Sequence, residues 1–468
     1  MFGLQIKYLS FFFGLISILS FFNIIYSYYF NLYLNLDTYY LSLFLSSVLA
    51  ILFYSLKISP KKTSIFQKIL TVFLGYILLP LILSIPFYLS IYNLTFINSF
   101  FEAVSGFTST GFTIFENIKN IDQSLILWRS TTQWIGGLYF LFSIIYLIDI
   151  YDENFKKTLT NFFSFNTSEV FKQAIKVFFI YSGITLVIFV ILNLFSIRTF
   201  DSLNLAFSLI SSGGFLPTND LSSIIRDDTQ TIILSFLMLT SFFSIFFSYN
   251  LFFFKRKNIN FLYEDLNLII YFVIVLIIFF LFFSFNQNFL NYFLSISSSM
   301  SNIGFTLDNS NTNLTFIYLI LVIIGGSFFS TSSGLRFMKI YSLFIYSVNQ
   351  ILSFSRPKNI YKNKLFFSEV NFDFDEISKY FLSVLIFILS LFILTTLLTI
   401  SEFSFENSFK LSILTLMNTV NSSSYGLSDL TFYNLSYFTK YCLIFFMIVG
   451  RIELLTILLL VKKFLFKN

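Results

Sequence analysis

Long apolar stretches separated by short polar connections run the whole length of the chain. Stretches of about 20 apolar residues, enough for a helix to cross roughly 30 Å of hydrocarbon, fall near residues 8–28, 38–57, 67–93, 124–150, 172–197, 230–254, 264–286, 314–345, 377–400 and 432–461. They predict ten helices. Four further apolar stretches, near 97–107, 200–210, 289–300 and 404–418, are too short to cross and end in small polar residues, which suits re-entrant half-helices. So many windows are not explained by one cleaved leader, and residues 9–25 are read as a retained first span. Pro80 and Pro86 are expected to kink the third span, and Pro217 to shape the exit of a loop.

The pattern predicts an all-α polytopic membrane protein: two N-terminal helices (residues 1–60), then four pseudo-symmetric units of helix, half-helix, loop and helix over 61–152, 153–258, 259–352 and 353–468. A repeat of this kind, with a period near 100 residues, lets four copies surround one central pore.

Composition agrees with lipid as the main solvent: 56% of residues are hydrophobic and 11% charged, against about 25% charged in a soluble domain. The net charge of +6 would suggest nucleic acid in a soluble protein. Here the basic residues sit on every second connection, at Lys57 to Lys68, Lys156 to Lys176, Lys255 to Lys257, Arg336 to Lys364 and Lys462 to Lys467, where they report topology. That face is expected to be cytoplasmic, with both termini on it. The half-helices then dip in from outside, beside Glu102, Glu116, Asp122, Asp201, Asp220, Asp308, Glu402, Glu406 and Asp429. These acids, Glu102 included, are expected to be solvated loop charges, with concentration of cations as the competing reading. Trp128 and Trp134 are read as interfacial or packing residues.

The chain has no histidine and one cysteine, Cys442, inside an apolar run. Histidine-activated nucleophiles, histidine proton relays and cysteine metal clusters are therefore excluded. The acids are scattered singly and no phosphate-binding loop occurs, which argues against an intramembrane transferase and against any cofactor held by this chain. A secondary transporter with midplane ion sites would be expected to show a two-fold repeat, whereas the repeat here is four-fold.

After each half-helix comes a related string: Ser109, Thr110, Gly111, Phe112, Thr113; Ser211, Ser212, Gly213, Gly214, Phe215; Asn302, Ile303, Gly304, Phe305, Thr306; and Ser422, Ser423, Ser424, Tyr425, Gly426. A dehydrated K+ needs a ring of oxygens, and backbone carbonyls supply one where glycine lets an extended strand turn toward the axis. Hydroxyls before the glycine add oxygens, and a half-helix entering from outside aims its partial negative end at the ion. One such string is an ordinary turn; four at matched depth point to a cation filter.

In these motifs the chain resembles the Trk/Ktr/HKT superfamily of potassium transporters, closest to the membrane subunit of the bacterial Trk system. The resemblance rests on residues 101–111, then Trp128, Arg129, Ser130, Gln133, Trp134, Ile135, Gly136 and Gly137, then Ser212 to Phe215, Ile303 to Thr306, and Gly450, Arg451, Ile452 and Glu453. It implies K+ uptake across the bacterial cytoplasmic membrane by a homodimer seated on cytosolic nucleotide-binding subunits of Rossmann type, for which the basic loops at Lys156 to Lys176 and Arg356 to Lys364 are candidate docking surface. The family's fourth filter glycine aligns with Ser424, and in this superfamily a serine at a filter-glycine position accompanies Na+ permeation. A Na+ or nonselective cation pathway is therefore the competing reading.

Gly325, Gly326, Ser327, Phe328, Phe329, Ser330, Thr331, Ser332, Ser333, Gly334 and Arg336 interrupt an apolar span with small polar residues. A broken helix under the filter is expected, at the place where the family has its gating loop; close helix packing is the competing reading. Arg451 lies deep in the last apolar run, where a cation is costly unless it faces water or a partner. Facing the pore, it would raise the barrier to cations and help the loop close. Pairing with Glu453 and snorkelling are the competing readings.

Overall fold

The computed structural model describes residues 7–56, 64–147, 170–253, 262–283, 289–307, 314–354, 374–428 and 430–452. The preamble is a hairpin of α1 (Lys7–Tyr29) and α2 (Leu36–Ser55). The first unit comprises α3 (Ile65–Leu83), α4 (Ile85–Tyr88), α5 (Phe96–Phe107) and α6 (Gln123–Tyr146). The second comprises α7 (Val170–Leu194), α8 (Thr199–Ser211), α9 (Asp228–Phe242) and α10 (Ile245–Phe253). In the third, α11 (Leu262–Phe283) and α12 (Phe289–Met300) precede α13 (Thr315–Ile323) and α14 (Phe337–Ser353). The last runs α15 (Phe374–Ile400), α16 (Phe405–Leu416) and α17 (Tyr437–Ile452). Among the described residues the fold is thus all-helical, with one isolated bridge between Ile324 and Leu335.

Local chemistry sets the boundaries. Ser64 and Gln67 form a reciprocal capping box at the start of α3. Two of the short helices, α5 and α16, start on hydroxyl caps: the Asn98 amide donates to Thr95 Oγ1, and that of Asn407 to Ser404 Oγ. Pro80 lies inside α3, the helix ends one turn later, and Pro86 sits in the first turn of α4, so the expected kink is a full break at Ser84.

Six helices among the described residues are long and apolar enough to cross a membrane. The other expected spans depart from a simple rod. In α6 every residue from Ser124 to Tyr146 is buried, Arg129 and Gln133 included, and it packs against the half-helices α5 and α8. The span expected over 230–254 is two helices, because Asp265 takes the Ser244 amide (2.9 Å) and hydroxyl (2.6 Å), and because the Ser241 and Phe242 carbonyls accept from a neighbouring loop instead of continuing their helix. The span expected over 314–345 is interrupted, as foreseen, and 432–461 begins its helix at Tyr437 and is described to Ile452. Large apolar side chains stand outward on α11 and α15, among them Ile274, Phe282, Phe392 and Leu389, as on a lipid-facing surface. Lys156, Lys157, Lys255 to Lys257, Asp308, Arg356 to Lys364, Asp429, Glu453 and Lys462 to Lys467 lie outside the described residues.

Candidate functional site: four loops on one axis

All four half-helices end in the same way. A single left-handed residue closes each: Ser109 (φ 57°), Ser212 (57°), Asn302 (59°) and Asn418 (47°). The next amide reaches back across the last turn, Thr110 to the Ser105 carbonyl (2.9 Å), Gly213 to Ser208 (2.7 Å), Ile303 to Ser298 (3.1 Å) and Thr419 to Leu414 (2.9 Å). This is the long bond of a Schellman closure, which satisfies an orphan carbonyl and turns the chain out of the helix. Gly111, Gly214, Gly304 and Val420 follow as the equivalent residues.

The second register is therefore one residue later than expected, at Gly214 and not Gly213, and the fourth differs further. Ser422 to Tyr425 lie downstream, where Ser423–Tyr425 is a 3-10 turn capped by left-handed Gly426, and Ser424 is buried within it. The position equivalent to the filter glycines is Val420, four residues earlier. Alignment on glycine and aromatic residues misled because the fourth loop has no glycine at that step; the signal available was Asn418, a residue type that tolerates the left-handed closure.

The loops are tied into a ring. Asn418 Nδ2 donates to Thr110 Oγ1 (2.9 Å), Asn302 Nδ2 to Thr419 Oγ1 (3.2 Å), and Ser212 Oγ to the Ser301 carbonyl. Thr306 and Ser423 share a hydroxyl contact at 3.0 Å. Loops one and two are joined from α6 by Arg129, which donates to Thr113 Oγ1 and reaches the Leu216 carbonyl at 3.5 Å; in the amide orientation that satisfies both its ends, Gln133 accepts from the Gly214 (3.0 Å) and Phe215 (2.9 Å) amides. Phe112 stacks on Phe432 with centroids 4.6 Å apart, Phe305 is buried, and the Tyr425 hydroxyl meets Ser299 Oγ at 3.1 Å. Above the ring opens a cavity of about 350 Å³ whose walls include Gly111, Gly214, Gly304 and Val420.

Glu102 is not a solvated loop charge. It is fully buried on α5, accepts from Arg129 Nε at 2.8 Å, from Thr113 Oγ1 and from the Ile114 amide, while Arg129 Nη2 donates to Thr113 at 2.9 Å. A charged pair with this many satisfied hydrogen bonds holds the first loop against α6. Trp128 packs in the core, with Nε1 donating to the Leu83 carbonyl.

Below the ring, residues 325–334 leave the helix and cross under it. Gly325 pairs with Leu335, the Ser327 and Ser332 amides donate to the Phe242 and Ser241 carbonyls, and Phe329 accepts from the Ile245 amide. Ser330 and Ser332 share a hydroxyl contact, and Ser332 Oγ accepts from the Gly326 amide. Gly334 (φ 81°) makes the return turn. Arg336, expected as a cytoplasmic topology charge, is buried and folds back into this loop, donating to the Ser327 and Ser332 carbonyls at 3.0 Å each. Glu264 accepts from Ser327 Oγ and the Phe328 amide, both at 2.9 Å. Glu264 and Asp265 were missed in the sequence because they open an apolar span and look like its polar end.

Arg451 joins the two layers. It is 1% exposed, lies 4.0 Å over the Phe140 ring, and donates to Ser333 Oγ in the crossing loop, to Ser109 Oγ (3.3 Å) and to the Ser211 carbonyl (3.4 Å). No carboxylate of the described residues lies within salt-bridge distance of it. Thr331 Oγ1 also donates up to Ile210 at 2.7 Å.

The family model described as TrkH, cation transport protein, matches residues 284–467. An uncharacterized cation transporter of Methanocaldococcus jannaschii is 25% identical over 310 residues, 63% of this chain and 62% of its own length. The Trk system potassium uptake protein TrkG of Escherichia coli is 22% identical over 84% of each chain, and TrkH of Salmonella typhimurium 25% over 79% of each. In fold, the crystal structure of the potassium transporter TrkH from Vibrio parahaemolyticus superposes with a TM-score of 0.80, covering 98% of both chains at 19% identity. Family model, relatives and fold thus point the same way as the loop motifs: over most of its length the chain is similar to Trk system potassium uptake proteins, and it shares their fold.

Proposed function

We propose that the chain passes a monovalent cation, K+ in the first place, along the axis of its four half-helix loops and into the cell down the membrane potential, which yields about 2.3 kcal/mol per charge per 100 mV. The observation that carries this reading is the four-fold repetition of one helix closure around one axis, with Gly111, Gly214 and Gly304 bringing backbone without side chains there. Carbonyls and the hydroxyls of Ser109, Thr110, Ser211 and Ser212 are the oxygens that replace lost hydration. The loop from Gly325 to Gly334, hung between Arg336, Glu264 and Arg451, obstructs the path beneath. Arg451, charged and without an acidic partner among the described residues, raises the barrier to cations from the axis side.

The same reading puts the protein in the bacterial cytoplasmic membrane with both termini inside, as a homodimer that takes its regulation from cytosolic Rossmann-type subunits. Growth on low K+ of a bacterial strain deficient in K+ uptake, expressing this chain, tests the function: restored growth supports it, and failure with the protein present in the membrane opposes it. The second reading, a Na+ or nonselective pathway, has its support moved from Ser424 to Val420, the fourth-loop residue that is not glycine. Ion-replacement flux with K+ and Na+ separates the two.

A further inference from the structure

At the level where three loops present glycine, the fourth presents an isopropyl group. A Cβ built on Gly214 would lie 2.5 Å from Val420 Cβ, and one built on Gly304 would lie 2.6 Å from Val420 Cγ1. Gly214 is in turn against the first loop, since a Cβ on Gly111 would lie 2.6 Å from the Gly214 Cα. Val420 thus reaches the backbone of two other filter loops at once and fills the centre of the ring. It is half-buried, one side forming part of the outer cavity, whereas Gly111, Gly214 and Gly304 beneath its shelter are buried.

The backbone explains why a side chain is tolerated here and not at Gly111 or Gly304. Gly111 (φ 83°) and Gly304 (φ 84°) are left-handed, where a β-branched residue is strained, but Val420 is not among the residues of positive φ. The fourth loop accepts valine without backbone strain and spends its bulk on the axis.

Building on the proposed cation path, we infer that Val420 is a flux- and selectivity-determining plug at the filter. Its methyl groups offer no lone pair and stand where the ion would pass, so a cation at this level loses hydration without gaining ligands from that side chain, and methyl contacts with Gly214 and Gly304 must be parted before it passes. The side chain acts on the transported ion itself and is independent of the crossing loop and Arg451 below.

The test is Rb+ uptake into potential-clamped proteoliposomes holding the full chain, with Val420→Gly, Val420→Ala and Val420→Ile beside wild type. The expected order of flux is Gly, Ala, wild type, Ile, with Val420→Gly above wild type by about tenfold or more, the scale of removing one desolvating aliphatic group from a barrier. The K+ to Na+ flux ratio is expected to follow the same order, highest in Val420→Gly. Should Val420→Gly disturb folding, the Ala and Ile variants still give the order. A flat or reversed order, with Arg451→Gln raising flux in the same vesicles, overturns the plug and leaves the cation path standing. No Rb+, K+ or Na+ flux above empty vesicles in any variant, Arg451→Gln included, overturns both.

Discussion

Single residues here do what their types alone do not announce. Arg451 was legible as an intramembrane cation, and its contacts with Ser333, Ser109 and Ser211 put it between the ring and the crossing loop. Arg451→Gln keeps a donor but removes the charge, and is expected to raise Rb+ flux severalfold in vesicles without lowering the melting temperature. Glu102 was illegible, because an acid near a short helix reads as a loop charge until Arg129, 27 positions later in chain order, is brought against it. Glu102→Ala leaves a buried guanidinium unpaired and is expected to cost about 3–5 kcal/mol. A lower melting temperature in detergent checks this; an unchanged one would mean that the pair holds nothing.

Elements were read best where length decides. The half-helices at Phe96–Phe107, Thr199–Ser211, Phe289–Met300 and Phe405–Leu416 match the short apolar stretches to within two residues, because a run too short to cross, ended by small polar residues, has few other solutions. The break between α9 and α10 was not readable. Nothing in its sequence but Ser244 stops a helix, and the cause is Asp265 from another element, capturing the Ser244 amide and hydroxyl. Asp265→Ala is expected to free Ser244, let the Ser241 and Phe242 carbonyls drift from the crossing loop, and raise basal cation leak. Leak equal to wild type in vesicles of equal protein content would show that the loop is held by its own contacts. Asp265→Asn retains one acceptor and should fall between the two. Register was the harder quantity: the fourth loop differs from expectation by four residues, since the Schellman bond of Thr419 identifies it and glycine spacing does not.

For the whole molecule, hydropathy and the four-fold repeat were enough to give the architecture, and the TM-score of 0.80 to a potassium transporter of 98% mutual coverage matches it. Less legible was how polar its centre is. α6, α17 and the loops carry buried Gln133, Asn302, Asn418 and Arg451, whose partners come from other units, so no local window of sequence pairs them. That cross-tying predicts one cooperative unit: Asn418→Ala, which removes links to Thr110 and the Met447 carbonyl at once, should loosen the ring and lower both thermal stability and ion discrimination together. Loss of one without the other would separate ring from fold.

Four loops that share one ion path should hold the ion between them. The most direct measurement is an experimental structure determined in rubidium, with anomalous scattering used to locate the ion. Rb+ is expected on the axis between the outer cavity and the crossing loop, within ligand distance of carbonyls from at least three of the four loops. Rb+ bound only at surface acids, with the axis unoccupied in a protein shown to transport it, would contradict the account.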